Sequence, residues 1–243
     1  MIAGKALSLY LRPTQYVDCD APAVRELAQR LLGAASGDSP QARAIALFEG
    51  VRDGIRYDPY QISFNADDYR ASHVVQQAAN WCVPKAILLT ALARAAGIPA
   101  VTGFADVCNH LNSPKLRDLM GTDLFIYHGY TAMWLSGHLV KVTPAFNTEL
   151  CERFGVRPLV FDGRGDALFH EMDVMNRPHI DYVRDRGIFA DPPIETLLKE
   201  MAANYPNLAE FIRTQRQTAI EDATFHDQSG AAGTDCRRTG KTS

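Results

Sequence analysis

The sequence lacks any run of eighteen apolar residues, and its start lacks the long apolar segment and cleavage site of a secretory signal. We therefore expect no membrane span and no membrane partner. The five cysteines are odd in number and widely spaced, so no disulfide framework is indicated. Reduced thiols and a cytoplasmic location are the corresponding expectations.

A strong charge of one sign is also missing, because the formal net charge is only -3 with acidic and basic residues intermixed. Nucleic acid is therefore not an expected partner. Zinc-type spacings such as CxxC and HExxH are absent, although Cys108 and His110 could combine with His73 or Cys82. We expect no metal and no cofactor. A metal-dependent hydrolase is a rival hypothesis, which predicts bound zinc and inactivation by a chelator.

What is present is enough apolar material for a core, since 47% of the 243 residues are hydrophobic. We interpret residues 1–226 as one domain. It comprises a helical lead-in (1–71), a cysteine-bearing helix with a sheet (72–155) and a C-terminal extension (156–226). The Gly/Ser/Thr-rich tail, residues 227–243, is expected to be disordered.

Periodicity and breakers predict the remaining elements. Alternation at 5–11 predicts a first strand, and Ser72 is a plausible cap for a short helix. Further helices are predicted at 21–35, from Ser39-Pro40 to about 54, near 148–154 and at 193–203, and strands at 100–107 and on both sides of Ser136-Gly137.

Cys82 begins the most strongly patterned helix, in which Pro84 belongs to the first turn and Gly97 ends the helix. Apolar residues lie nearly all round it, so we expect a core helix. A thiol at a helix start meets the positive end of the helix dipole, and a neighbouring imidazolium would stabilise the thiolate further. The alternative is that Cys82 is simply a small buried hydrophobic residue.

His128 lies on the first strand of the predicted hairpin. A two-residue loop at Ser136-Gly137 places His128 opposite Ala145, and a loop shifted by one residue places it opposite Asn147. In either register Thr143, Ala145 and Asn147 share the face of His128. Asn147 or the hydroxyl of Thr143 could therefore orient the imidazole. A histidine that merely packs at a strand end is the alternative.

Two segments carry a family resemblance. NWCVPKAILLTALARAAGIPA resembles the nucleophile motif of the transglutaminase-like superfamily, and HGYTAMWLSGHLVKVTPAFN resembles its second, histidine-bearing motif. The stretch from YLRPT through ARAIALFEGVRDGIRYDP is similar to the helical lead-in of bacterial members. The likeness spans residues 7–155, with His128 46 residues after Cys82. It implies an α+β, papain-like fold, in which the helix of the cysteine packs on an antiparallel sheet.

The resemblance also implies a reaction, in which Cys82 attacks an amide carbonyl of a peptide or protein and forms a thioester. His128 would take the thiol proton and later protonate the leaving amine. Water as acceptor gives a cysteine protease or amidase, which we favour, and an amine gives transglutaminase-type cross-linking. The N–H of Cys82 would form half of an oxyanion hole, with Gln76 or Gln77 as the other donor.

One position departs from the family pattern, because Thr143 stands where the family usually has aspartate before proline. A hydroxyl cannot stabilise an imidazolium as a carboxylate does. We take Asn147 as the third catalytic residue with Thr143 as the alternative, and Asp162 could also fold back. The departure favours a rival, a non-catalytic binding module. A hyper-reactive thiol at pH 6 would support the enzyme.

Two aromatic residues flank the motifs. Trp81 precedes the cysteine, and Trp134 lies on the histidine-bearing strand. Both could form walls of a cleft, and packing in the core would explain them equally well.

Overall fold

The structure is a computed structural model that describes residues 7–110, 113–169, 174–175 and 179–214. The expected disordered tail, 227–243, lies outside the described residues. The division into one domain over 1–226 stays a prediction. No helix in the described parts of the chain is long and apolar enough to cross a membrane.

Seven α-helices and six strands are named here in chain order. The helices α1 to α7 are Pro22–Leu32, Pro40–Gly54, Ala71–Val74, Cys82–Ala95, Pro114–Met120, Thr148–Phe154 and Ile194–Asn204. The strands β1 to β6 are Arg56–Tyr57, Ala79–Asn80, Ala100–Asn109, Leu124–Leu135, His138–Val142 and Ile180–Phe189. Short 3₁₀ helices are formed by Ser8–Leu11 and Ala66–Tyr69.

The larger sheet has the strand order β5-β4-β3-β6, with every neighbouring pair antiparallel. Helix α4 packs on β3 and β4, and its residues Cys82 to Arg94 are all buried. Two contacts fix this packing, since Thr131 Oγ1 donates to Ala86 O over 2.8 Å and Thr90 Oγ1 lies 3.1 Å from Thr102 Oγ1. The fold is therefore α+β, as predicted, with the cysteine helix on an antiparallel sheet.

The helical lead-in packs against α4 through α1 and α2. Both helices begin with a proline, and the Ser39 side chain caps α2 by accepting from Ala42 N. Strand β1 follows α2 and pairs in parallel with β2, which brings Tyr57 opposite Asn80. This small sheet fixes the path of the chain just before Cys82.

Two predictions of local structure were wrong, and one strand was missed. Residues 8–11 form a 3₁₀ helix rather than a strand, and Leu9 is exposed at 51%. Ser72 does not cap the short helix but lies inside it, since the helix runs from Ala71 to Val74 with Arg70 at the cap position. Strand β6 was not predicted, because five successive residues, 181–185, are exposed and mostly polar, so no buried face marks it.

The hairpin register is confirmed at its turn, where Leu135 pairs with His138 across Ser136-Gly137. The extension of that register to residue 145 was wrong. The β4–β5 ladder ends at the pair Thr131 and Val142. Pro144 follows, and a proline has no N–H to donate to a ladder.

Candidate active site

Cys82 is the first residue of α4, and 7% of its surface is exposed. Three main-chain N–H groups, those of Gly129, Val83 and Cys82 itself, are placed to stabilise its thiolate. The position of Cys82 at the helix start therefore lowers the pKa of its thiol, as expected. Burial outweighs it, however, and raises the pKa of the Cys82 thiol to about 11. The expectation of a lowered thiol pKa was wrong, since it took no account of desolvation.

Gly129 lets α4 approach β4 closely. A Cβ at this position would lie 2.9 Å from Val83 Cα and 3.2 Å from Cys82 O. Any side chain would therefore push the first turn of α4 away from the strand. The distance between the sulfur of Cys82 and the strand of His128 thus depends on a glycine.

His128 pairs with Ala105 on β3, so its side chain leaves β4 on the face that carries Tyr130. Helix α4 packs on the opposite face, where Thr131 contacts it. The edge of β4 is open beside His128, because β5 pairs with β4 only from Thr131 onward. Beyond that point the Gly129 N–H is directed to the sulfur of Cys82, which lies beside the strand edge.

The imidazole of His128 is packed among aromatic rings. Its centroid lies 4.7 Å from that of Phe169 and 6.2 Å from that of Tyr182. Burial in these surroundings lowers the pKa of His128 to about 3, so the ring is neutral at physiological pH. Its Nε2 atom is buried and has no hydrogen-bond partner among the described residues.

Cys82 and His128 line the same small cavity, of about 70 Å³, which we call the Cys82 cavity. Trp81 also lines it, and its ring is edge-on to that of Tyr69. Within the described ranges, the buried Nε1 of Trp81 has no hydrogen-bond acceptor. Two buried polar atoms without partners thus belong to side chains around one cavity that also contains a thiol. Such atoms are rare in proteins and call for an explanation.

The candidates for the third position are both buried and both engaged. Thr143 Oγ1 donates to Gly129 O over 3.1 Å, and Asn147 Oδ1 accepts from Tyr57 N over 3.1 Å. No hydrogen bond from either side chain to His128 occurs in the part of the chain that the structure describes. Both nevertheless lie near the site, Thr143 beside Gly129 and Asn147 beside Tyr57.

Other sequence candidates lie elsewhere. Gln77 lines a separate polar cavity, where its Nε2 is 3.2 Å from His73 Nε2, and Gln76 is exposed. Asp162 Oδ1 accepts from Arg164 N and Gly165 N in an exposed turn. Trp134 is not among the described residues that line the Cys82 cavity.

The suggested zinc set is not assembled. In the described ranges, no group of three His, Cys, Asp or Glu side chains is close enough to hold a metal ion. His110 Nε2 lies 2.8 Å from Asp181 Oδ2 instead.

Lys85 was missed by sequence reasoning. It lies one turn after Cys82 and is fully buried, and its Nζ donates to the carbonyls of Arg52, Ile55 and Ala145 over 3.0, 2.5 and 2.8 Å. Burial lowers the pKa of Lys85 to about 7. A signal existed in the sequence, because a lysine in a helix that is apolar nearly all round cannot avoid burial.

Comparison with known protein families identifies one matching family. The family model described as "Transglutaminase-like superfamily" matches residues 25–144, a range that includes α4 and the hairpin. Residues 25–144 therefore belong to the transglutaminase-like superfamily. No curated protein matches the sequence.

Two chains of solved structures match. One is a proposed cysteine protease from Cytophaga hutchinsonii, with 16% identity and a TM-score of 0.43. The match covers 80% of this chain and 47% of that one, so this chain spans less than half of that protein's length.

Proposed function

We propose that this superfamily member catalyses thiol-dependent acyl transfer on amide bonds, with Cys82 as nucleophile and His128 as general base and acid. The observation that carries the proposal is the Cys82 cavity. There a thiol, an imidazole nitrogen without a partner and an indole N–H without a partner belong to side chains around one small space, among the described residues. A bound amide would offer each of these groups a partner.

The proton path follows from the neutral state of both groups. With a raised pKa for Cys82 and a lowered pKa for His128, a standing thiolate–imidazolium pair is disfavoured. We infer that His128 Nε2 removes the thiol proton as the sulfur–carbon bond forms. The carbonyl electron pair then moves to oxygen, where the N–H groups of Trp81 and Cys82 would donate to it.

Collapse of this intermediate breaks the carbon–nitrogen bond, and His128 returns its proton to the leaving amine. The acyl group remains on Cys82 as a thioester. Water then attacks the thioester with His128 again as base, which restores the thiol and releases an acid. We favour water over an amine as acceptor, and hence a cysteine protease or amidase over a cross-linking enzyme.

The orienting residue of His128 remains part of the proposal. Asn147 is our choice, and Thr143 is the alternative. Asn147 Oδ1 already accepts from Tyr57 N, but a carbonyl oxygen has two lone pairs and can accept a second bond.

The substrate class we propose is a peptide or protein amide, and the compartment we propose is the reducing cytoplasm. The four described cysteines are free thiols, the form that the reaction requires of Cys82.

The experiment is incubation of the protein with a panel of peptides, with and without a small primary amine, followed by mass spectrometry of the products. Shortened peptides without amine incorporation indicate hydrolysis, and a mass increase that matches the amine indicates transfer. The Cys82→Ser protein serves as the control for contaminating peptidases. Absence of both products for every peptide would contradict the proposal.

A second candidate function is a non-catalytic binding module on the same fold. The aspartate of the family pattern is replaced by Thr143, and burial holds Cys82 as a thiol; both observations favour it. A module should bind peptides equally well in the wild-type protein and in Cys82→Ala, and it should release no product. Binding of the panel to wild-type protein without any thioester adduct would support this alternative.

A further inference from the structure

A second cavity adjoins the Cys82 cavity. It has a volume of about 260 Å³ and is closed on one side by α6, so we call it the α6 pocket. Tyr57, Pro59, Asn109, Leu116 and Phe146 line both spaces. The two cavities are therefore neighbours with a common wall, and a molecule held at Cys82 would have the α6 pocket beside it.

The volumes of the two cavities suit different parts of a substrate. The Cys82 cavity, at about 70 Å³, has room for a reacting carbonyl group but not for a bulky substituent. The α6 pocket, at about 260 Å³, lies just below the range of roughly 300–1,000 Å³ typical of pockets for whole drug-sized ligands. It is large enough for one large side chain.

The walls of the α6 pocket are mainly apolar and aromatic. The rings of Tyr57 and Phe146 meet edge-to-face with centroids 4.8 Å apart, and Leu150 and Val156 contribute aliphatic surface. Phe154 also lines the pocket and is 47% exposed, so the apolar wall reaches solvent and a side chain of a substrate could enter from outside.

The other side of the Cys82 cavity is different. There Trp81 and Ile62 form the common wall with a cavity of about 300 Å³, which polar side chains such as Ser63, Asp68 and His73 line. The nucleophile thus lies between an apolar pocket and a polar one. An extended peptide that crosses the site would meet both.

We propose that the α6 pocket receives a large aliphatic or aromatic side chain from the acyl part of the amide substrate. This inference rests on the proposed acyl-transfer function and deepens it by naming the substrate class. Asp58 and Arg153 also line the pocket, but most of its wall is apolar, so a charged side chain would have to give up water for few polar partners and should be disfavoured. A small side chain leaves the pocket unfilled and forfeits the gain from burial.

The test is a panel of N-acetyl dipeptide amides of 7-amino-4-methylcoumarin, in which Phe, Leu, Ala or Glu occupies each position in turn with Ala at the other. At one position we expect kcat/KM for Phe or Leu to exceed that for Ala by about tenfold or more, since a single buried methylene can discriminate by 10-fold to 200-fold. Glu should be the poorest. Equal rates for Ala and the large side chains at both positions would overturn the proposal.

A matched pair of variants on α6 tests the location. Leu150→Trp fills the pocket and should lower kcat/KM for the Phe and Leu substrates by about tenfold, to the value for the Ala substrate. Glu149→Trp adds the same bulk at the preceding exposed position and should change neither. An undiminished preference for Phe in Leu150→Trp would contradict the assignment of the pocket.

Calorimetric binding of the corresponding plain dipeptide amides to Cys82→Ala separates this proposal from the proposed function. Tighter binding of the Phe peptide than of the Ala peptide, lost in Cys82→Ala with Leu150→Trp, would support the pocket even if no turnover is seen. Turnover without any preference for large side chains would leave the acyl-transfer proposal standing and refute the pocket.

Discussion

Two buried regions around the start of α4 differ in whether their polar side chains have hydrogen-bond partners. At Lys85, three carbonyl oxygens accept from one ammonium group in a fully buried position. One turn earlier, Trp81 Nε1 and His128 Nε2 lack partners among the described residues, although burial is nearly as complete. The first region stabilises the fold, and the second leaves hydrogen bonds to be made by something else.

The difference distinguishes a buried polar group that holds the fold together from buried polar groups that are available to a ligand. The Lys85 ammonium ties α4 to the end of α2, to the residue before β1 and to the chain after β5 through three carbonyls. These segments carry Tyr57 and Phe146, which form the wall between the two cavities. Lys85 thus holds in place the frame around Cys82, while the groups at the cavity remain available.

The largest expected effect comes from removal of the nucleophile. Cys82→Ala should abolish acyl transfer, by at least about a thousandfold, because no other thiol lines the cavity among the described residues. The fold should persist, since alanine fits a helix start. Turnover by peptide assay and thermal unfolding of the same sample check both statements. Retained turnover would refute the mechanism.

The variant Trp81→Phe tests whether the indole N–H at the Cys82 cavity contributes to catalysis. Loss of one oxyanion donor should lower kcat by roughly a hundredfold. Stability should change little, because phenylalanine keeps an aromatic ring beside that of Tyr69. Trp134→Phe is the matched control and should keep full activity. Equal activity of the two variants would show that the indole N–H takes no part.

The variant Lys85→Met tests the region in which the buried polar side chain has hydrogen-bond partners. Three carbonyl oxygens would lose a donor, and we expect the free energy of unfolding to fall by about 2 kcal/mol. Urea unfolding measures it, with Lys199→Met on the exposed face of α7 as the control. If Lys85→Met proved as stable as the control, the three bonds would not compensate for the cost of burying the ammonium.

Asn147→Ala and Thr143→Val compare the two candidates for orienting His128. We expect the rate to fall by about tenfold in Asn147→Ala and by markedly less in Thr143→Val, because the amide oxygen of Asn147 can accept from the imidazole as in Cys-His-Asn centres, whereas the Thr143 hydroxyl already donates to Gly129 O. Measurement of kcat on samples of equal stability decides. The reverse ranking would assign the role to Thr143.

The smallest effect concerns the pH dependence of thiol alkylation. Because burial raises the pKa of Cys82 to about 11, the protonated thiol predominates through the neutral range. The rate of reaction with iodoacetamide at Cys82 should therefore keep rising, by about tenfold per pH unit, from pH 6 through pH 9. Mass spectrometry of the Cys82 peptide follows it. A plateau near pH 6 would mean a standing thiolate and a cationic neighbour; it would support the enzyme but replace proton removal by neutral His128 with a preformed ion pair.

The sequence predicts much of the fold because local signals are strong where the core is. Pro84 and Gly97 bracket α4, and Ser136-Gly137 determines the register of the hairpin. Strand β6 could not be predicted in the same way, since its stability comes from pairing with β3 and not from a buried face. Edge strands of this kind are defined by tertiary contacts.

The candidate site is predictable in composition but not in electrostatics. The motif places Cys82 at a helix start and His128 on a neighbouring strand, as the structure shows. Whether a thiol is a thiolate depends on desolvation, and desolvation depends on residues such as Phe169 that are distant in sequence. Those neighbours are known only once the chain has folded.

Gly129 has a consequence for sequence variation around the site. Because its missing Cβ sets the spacing between strand and helix, this codon should tolerate no replacement in a saturation library selected for activity. At Gly165, by contrast, a Cβ would meet nothing within 4 Å, so that position should accept many residues. A design that transfers Cys82 and His128 to a new scaffold must therefore also keep a glycine at the position equivalent to Gly129.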